Sequence, residues 1–125
     1  MRQMAGLETG GRKNKNLKYK KFNKREFDLV VLDPPAWSKG SFGAVDVAGD
    51  YPSLFKPAVL ATKSGGLVLA TNHVASIDFE AWIKALQRCA VKAGRKIKGF
   101  KRIIPEDDFP SFDGNHPLKV VVCEV

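Results

Sequence analysis

Cysteine is scarce in this sequence. The two that occur, Cys89 and Cys123, have no neighbouring Cys or His at the spacing that metal sites use. Two cysteines cannot form a disulfide framework, so we expect a reducing compartment and no bound metal. Cys89 lies within a helical pattern and Cys123 within a strand-like run. This placement favours two small buried hydrophobic side chains over reactive nucleophiles.

Long apolar runs are also missing. No stretch of the 125 residues approaches the ~18 to 20 consecutive apolar residues that a membrane-spanning helix needs. No apolar segment follows the N-terminal charges, which argues against a secretory signal. The length fits one domain. We therefore expect a cytoplasmic protein with no membrane partner; an organellar stroma or matrix is the alternative location.

Acidic residues are almost absent from the first 25 positions, which hold nine cations and one anion, whereas residues 26–125 hold twelve of each. Apolar residues are few there too, so this segment cannot bury enough surface to offset the entropy of ordering. We expect a basic, mostly disordered leader or linker over residues 1–24 and a folded domain over residues 25–125. Its cations can contact phosphates, although a solvated arm is an equally good interpretation. The candidate phosphate-contacting lysines are Lys13, Lys15, Lys18, Lys20, Lys21 and, further along the chain, Lys39.

Strand and helix patterns alternate after residue 26. The order predicts an α/β layer that has a parallel part and an antiparallel final pair of strands. The clearest helix begins after Ser76 or Asp78 as N-cap and ends at Gly94. In chain order, the predicted elements are a buried strand at 27–32 (FDLVVL), a helix at 51–59 capped by Asp50, a buried strand at 67–71 (LVLAT), a helix at 79–94, and strands at 95–104 and 118–125.

Three local features modify this pattern. Residues 38–49 are rich in glycine, which predicts a mobile segment. Pro57 predicts a kink in the first helix or a shorter helix, because proline removes a helical hydrogen bond. The Ser-Gly-Gly run at 64–66 predicts the end of that helix.

The chemically suggestive segment is Asp33-Pro34-Pro35-Ala36-Trp37, at the end of the first strand. Ligands of open α/β sheets bind at the carboxyl ends of the strands, so we expect Asp33 at the mouth of a site. Two prolines fix the backbone as it leaves the sheet. Trp37 offers an aromatic face on which a nucleobase can stack. A turn-capping Asp33 and a packed Trp37 are an equally good interpretation of position alone.

The FDLVVLDPPAW segment resembles the fourth motif of class I S-adenosylmethionine-dependent methyltransferases, in which an Asp or Asn, two prolines and an aromatic residue line the site of methyl transfer. Over residues 26–125 the chain resembles the C-terminal half of large-subunit ribosomal RNA methyltransferases, notably those that methylate cytosine at C5. The resemblance implies a partial Rossmann-like sheet and S-adenosylmethionine as cofactor. It also implies RNA as substrate, with Asp33, Pro34, Pro35 and Trp37 at the catalytic site and Asp33 near the cofactor. The resemblance to this family also extends over the following segments: 51–66, 67–71, 79–94, Gly94-Arg95-Lys96, Asp108-Phe109-Pro110 and Leu118-Lys119.

The chain departs from that family in two ways. The Gly-rich strand-to-helix loop that holds the cofactor should precede Asp33, and no such segment is present. The cytosine-5 enzymes place a nucleophilic cysteine where this chain has Thr71-Asn72-His73-Val74, which argues against thiolate addition. Asn72 and His73 are candidate secondary site residues, with His73 as a base or donor. A structural role is more frequent for a loop histidine, and the same holds for His116.

Without the Gly-rich half, we expect the isolated chain to be inactive or weakly active. The first strand should then expose an unpaired edge, which favours a homodimer or docking to a separate N-terminal half. Two alternatives from other classes remain: a noncatalytic RNA-binding module that depends on its basic leader, and a protein-interaction half-domain.

Overall fold

The computed structural model describes residues 23–35, 37–40, 43–106, 108, 111, 113 and 116–125. Residues 1–22, which include the five candidate lysines of the basic leader, lie outside these residues. The elements in chain order are β1 (Phe27–Leu32), β2 (Trp37–Gly40), β3 (Gly43–Asp46), α1 (Val47–Leu60), β4 (Thr62–Asn72), α2 (Phe79–Lys92), β5 (Gly99–Ile103) and β6 (Lys119–Glu124).

A four-stranded mixed sheet organises the fold, with the order β1-β4-β6-β5. Strands β1 and β4 are parallel, with Val30 opposite Val68 and Leu32 opposite Ala70. Strand β6 pairs antiparallel with both β4 and β5. The predicted α/β class, the parallel part and the antiparallel final pair are confirmed. Because β1 stands at the end of the sheet order, its outer edge has no strand beside it among the described residues.

The core lies between the sheet and the two helices. Phe55 of α1 and Leu86 of α2 are fully buried against alternate strand residues such as Val68 and Val121. Helix α2 has the expected ends: the Asp78 carboxylate accepts a hydrogen bond from the backbone N–H of Ala81 at 2.8 Å. Gly94 follows the helix with a φ of +72°, a conformation that favours glycine.

The other face of the sheet is open, which corrects the expectation of two fully buried strands. The side chains of Leu29, Val31 and Leu67 are exposed by 54%, 55% and 41%. We call these three residues the bare face. An apolar run predicts burial on both faces only when a second layer covers the sheet, and no helix of the described part packs there.

Strands β2 and β3, at residues 37–40 and 43–46, lie where a mobile segment was expected. Strands β2 and β3 pair antiparallel, with Gly40 opposite Gly43. Glycine is common next to tight connections between strands, so Gly40 and Gly43 are compatible with paired strands as well as with mobility.

Helix α1 differs from expectation at Pro57, and strand β4 differs from it at Gly65 and Gly66. Helix α1 continues past Pro57 to Leu60, and its non-helical backbone lies at Asp50, with φ of −133°. Residues 64–66 lie inside β4 rather than at the helix end. Gly65, at φ +79°, donates its N–H to the carbonyl of Val125. The glycines therefore shape an irregular start of β4, where the pairing with β1 also shifts register.

Both cysteines are buried, as expected. The Cys89 thiol on α2 contacts the carbonyl of Pro52, and the Cys123 thiol on β6 contacts the carbonyl of Val68. Burial raises the pKa of the Cys123 thiol to about 12 and also raises that of Cys89. Within the described ranges, no helix is long and apolar enough to cross a membrane.

Candidate functional site

The carboxyl ends of the two parallel strands bring the candidate residues together. Leu32 is the last residue of β1 and pairs with Ala70 of β4, so Asp33 follows β1 beside the position of Thr71. Pro34 is half-buried and Pro35 exposed. Neither proline has a backbone N–H, so β1 ends at once.

The Asp33 carboxylate is held through one of its two oxygens. The Thr71 hydroxyl donates a short hydrogen bond to Asp33 Oδ1, and His73 Nε2 lies 2.9 Å from the same oxygen. Asp33 Oδ2 has no partner among the described residues. The side chains of Asp33 and His73 are 59% and 42% exposed, so this end of the cluster faces solvent. We call Asp33, Thr71 and His73 the carboxylate cluster.

The hydrogen bond from Thr71, and then the one from His73, lower the pKa of Asp33. Both stabilise the ionised form of the carboxyl group. Asp33 therefore presents a negative, hydrogen-bond-accepting oxygen at neutral pH.

A buried aromatic group supports the carboxylate cluster from the core side. The Tyr51 hydroxyl donates a 2.7 Å hydrogen bond to the backbone carbonyl of Thr71. Tyr51 packs edge-on against Trp82, with ring centroids 5.3 Å apart. Burial raises the pKa of Tyr51, so its hydroxyl keeps its proton and remains a donor. This contact fixes the end of β4 to helices α1 and α2.

The loop that carries His73 is held on both sides. The Asn72 side-chain oxygen accepts a hydrogen bond from the N–H of Val74 at 2.9 Å. The Lys119 ammonium donates to the carbonyls of Val74 at 2.8 Å and Pro117 at 3.3 Å. Burial lowers the pKa of Lys119. Both polar groups of the Val74 backbone are thus occupied, which fixes the direction in which His73 leaves the sheet.

The predicted site residues do not all meet. His73 reaches Asp33, whereas Asn72 is fully buried and bonds to the loop instead; its side-chain nitrogen has no partner within the described part. Trp37 begins β2, four residues after Asp33. For Trp37 and Lys39 the structure describes the backbone and not the side chains. His116 is half-buried, and its Nδ1 has no hydrogen bond in the part that the structure describes.

Sequence reasoning missed Thr71, Tyr51 and Lys119. A signal existed for Thr71: it ends the strand that runs parallel to β1, and such strand ends meet at one edge of a sheet. The contacts of Tyr51 and Lys119 join residues 20 and 45 positions apart in the sequence, for which no local pattern exists.

The described residues do not supply a complete site for a metal or for an adenosyl cofactor. His, Cys, Asp and Glu side chains never gather in a group of three or more suited to a metal ion, as far as the described ranges go. The described connection from β4 to α2, residues 73–78, contains no glycine, so it is not a Gly-rich loop of the kind that holds a cofactor's polar groups at a helix N-terminus.

Comparison with known proteins gives one consistent picture. No protein-family model matches the chain. A ribosomal RNA large subunit methyltransferase I from Alteromonas mediterranea is 32% identical over 104 residues, which cover 81% of this chain and 26% of that protein. The protein of the same name from Vibrio vulnificus is 29% identical over 104 residues, with 80% and 26% coverage. The chain thus spans about a quarter of the length of these curated relatives.

Solved structures agree on the fold. A crystal structure described as a methyltransferase, SMU.776 in complex with SAH, superposes with a TM-score of 0.64 at 19% identity, over 81% of this chain and 27% of that one. A second, from Streptococcus mutans and described as SAM-dependent, gives 0.60 at 20% identity, over 81% and 26%. The partial Rossmann-like fold and the resemblance to large-subunit ribosomal RNA methyltransferases are therefore confirmed.

Proposed function

We propose that this chain forms the acceptor-binding side of an S-adenosylmethionine-dependent methyltransferase that acts on RNA, with ribosomal RNA as the substrate class. The observation that carries the proposal is the position of Asp33. Its carboxylate stands at the carboxyl end of a parallel strand, is ionised, and has one oxygen without a partner among the described residues. Relatives named ribosomal RNA methyltransferases support the same assignment.

Each motif residue has a proposed part. Asp33 Oδ2 accepts a hydrogen bond from an amine or ring N–H of a base that has left its stack. Pro34 and Pro35 hold the backbone rigid at that point, and Trp37 supplies the stacking face. The lysines of the leader and Lys39 contact phosphates, which adds affinity without sequence preference.

Covalent catalysis by a cysteine does not fit this site. Asn72 ends β4 and His73 follows it, and the two thiols of the chain bond to carbonyls inside the core. A raised thiol pKa further lowers the fraction of nucleophilic thiolate. We therefore propose methyl transfer to a base without a covalent enzyme intermediate.

The cofactor supplies the methyl group as an electrophilic sulfonium when it is bound. The described residues offer Asp33 at the acceptor side and no Gly-rich loop, so we propose that another polypeptide segment completes the site. The outer edge of β1 is the place for it: either a second copy of the chain or an N-terminal methyltransferase half would add its strand there. Leu29 and Val31 on the bare face would be covered by the same partner.

Binding of a short single-stranded RNA to the full chain tests the acceptor role. Asp33→Ala should weaken binding about tenfold, since it removes a hydrogen bond to an ionised group. Asp28→Ala is the matched control, because Asp28 is an exposed carboxylate on the same strand that pairs with Lys63; it should leave binding unchanged. If only deletion of residues 12–25 lowers affinity, the chain is a phosphate-binding module and the proposal is wrong.

Calorimetry with S-adenosylmethionine tests whether the isolated chain contains a complete cofactor site. We expect weak or no heat from the isolated chain, and methyl transfer to RNA only in a form that contains a cofactor-binding half. In such an active form, Asp33→Ala should abolish transfer, and retained activity would remove Asp33 from the catalytic list. Tight binding by the isolated chain would contradict the need for a second segment.

Sedimentation tests the proposed partner surface. Val31→Lys should reduce association at high concentration, because a charge on the bare face opposes apolar contact. Val91→Lys is the control, since Val91 is 72% exposed on α2, away from the sheet edge. A wild-type chain that stays monomeric, with exchange-protected amides along residues 28–32, would refute the proposal.

A further inference from the structure

The folded domain contains a basic segment of its own, separate from the leader. Residues 81–105 hold eight cations and no anion, although residues 26–125 as a whole hold equal numbers of both. The positive charge of the domain is therefore concentrated in helix α2 and in the residues that follow it. A local excess of one sign attracts partners of the opposite charge.

Helix α2 presents three of these cations to solvent. Lys84, Arg88 and Lys92 are spaced four residues apart, so they form a row on one side of the helix that is about 12 Å long. All three residues are exposed, whereas Leu86 on the opposite side is buried in the core. The ion pairs among the described residues involve none of these three cations. We call Lys84, Arg88 and Lys92 the basic row.

A lysine of helix α1 extends the basic row. The Cys89 thiol contacts the carbonyl of Pro52 at 3.4 Å, where α2 packs on α1. Burial raises the pKa of this thiol, whereas Lys56 and Lys92 act to lower it. The two ammonium groups, one from each helix, therefore lie near the same thiol. Lys56 is exposed as well, so positive charge spans the outer side of the helical layer.

The chain connection sets the direction of the basic row. Residues 73–78 lead from the carboxyl end of β4 into α2, so the start of α2 lies at the edge of the sheet that carries the carboxylate cluster. Lys84 is the sixth residue of α2 and Lys92 the last. The row therefore runs away from that edge along the outer side of the helix. Asp78 and Glu80 lie at the start of α2 and repel phosphates, so contacts with an anionic chain should begin at Lys84.

We propose that the basic row, together with Lys56, is a second contact surface for RNA, which binds phosphates flanking the base held at the carboxylate cluster. The inference rests on the proposed function, because it concerns the same RNA. An RNA strand is a continuous chain of negative charges and matches an extended row of cations. The apolar side of α2 is buried in the core, so it is not free to insert into a membrane surface.

The first experiment measures how the affinity of the full chain for a single-stranded RNA depends on salt. The double variant Lys84→Gln and Lys92→Gln removes two phosphate contacts, so the plot of log K against log salt concentration should become less steep by about 1.4. This corresponds to about 25-fold weaker binding at about 0.1 M salt, a difference that should vanish near 1 M. The loss should be alike for RNAs of different sequence, since phosphates carry no base information.

The double variant Lys63→Gln and Lys98→Gln is the matched control. It removes the same charge from two exposed lysines, but these pair with Asp28 and Glu124 at 2.8 and 2.6 Å. Its salt dependence should equal that of the wild type. If both double variants flatten the plot equally, only net charge matters and the inference is overturned; it is overturned as well if neither variant changes the plot.

Asp33→Ala separates this inference from the proposed function. If Asp33→Ala weakens binding while the variant at Lys84 and Lys92 binds as the wild type does, the inference is wrong and the acceptor role stands. If Asp33→Ala has no effect and the double variant still flattens the plot, the acceptor role fails and the basic row remains a phosphate-binding surface. Vesicles that contain phosphatidylserine provide another anionic partner, and binding of these vesicles but not of RNA would overturn the inference.

The second experiment maps the surface in the wild-type chain. An amine-acetylating reagent is applied with and without RNA, and the modified lysines are identified by mass spectrometry. RNA should protect Lys56, Lys84 and Lys92, whereas Lys63 and Lys98 should react at unchanged rates. Equal modification of Lys84 and Lys92 in the presence and absence of bound RNA would refute the contact.

Discussion

Strands β1 and β4 approach each other closely at Gly66, and this contact can be tested by adding one methyl group. A Cβ at position 66 would lie 2.8 Å from Thr62 Cγ2, 2.9 Å from the carbonyl oxygen of Asp28 and 3.1 Å from that of Lys63. The Thr62 methyl group and the two oxygens are fixed, since Thr62 is fully buried and backbone atoms cannot rotate away. Gly66→Ala should therefore push β1 away from β4.

The loss of unfolding free energy caused by Gly66→Ala can be worked out from these contacts. Overpacking of this kind costs about 1 to 3 kcal/mol. Replacing glycine also restricts the unfolded chain, which returns about 0.4 to 1 kcal/mol. We expect a net loss of about 1 to 2 kcal/mol, which lowers the urea midpoint by about 1 M for a chain of this size.

Urea unfolding followed by circular dichroism provides the assay, and Gly99→Ala is the control. Nothing lies within 4 Å of a Cβ at Gly99, which is exposed at the start of β5. That variant should be as stable as the wild type or slightly more so. If Gly66→Ala and Gly99→Ala unfold at the same urea concentration, the close approach of β1 and β4 at Gly66 is refuted.

Three further predictions concern the core and the site. Tyr51→Phe removes the buried hydrogen bond to the Thr71 carbonyl and should lower the free energy of unfolding by about 1 kcal/mol; an unchanged urea midpoint would contradict that bond. Asp78→Ala removes the N-cap of α2 and should cost about 1 kcal/mol, whereas Asp28→Ala should leave the midpoint nearly unchanged. The folded-state pKa of Asp33 is lowered, so its stabilising contribution is present at neutral pH and is lost as pH falls through that pKa. The stability difference between wild type and Asp33→Asn should accordingly shrink below about pH 4, and a difference independent of pH would contradict it.

The regular elements of the fold could be predicted from local patterns. Helix α2 has apolar residues at helical spacing, a capping Asp78 and a closing Gly94, and each of these signals acts within a few residues of the chain. The position of Asp33 followed from a strand that ends abruptly at two prolines. Local sequence contains the information for both features.

Features that depend on distant packing could not be predicted. The exposure of Leu29 and Val31 depends on whether a second layer covers the sheet, and the apolar run is the same in either case. Thr71 meets Asp33 only because β1 and β4 pair in a particular register. The Ser-Gly-Gly run at 64–66 indicated that the chain turns irregularly, but whether this ends a helix or begins a strand depends on the partners of those residues.

The two buried thiols can report on local opening of the fold. Cys123 lies on β6 with its side chain in the core between the sheet and the helices, so a thiol-reactive reagent should reach it only after the helical layer leaves the sheet. Cys89 lies on α2 and should become accessible as soon as that helix lifts from α1. Alkylation rates at the two positions, read separately by mass spectrometry, would show whether α2 lifts from α1 before the helical layer leaves the sheet, without any added label.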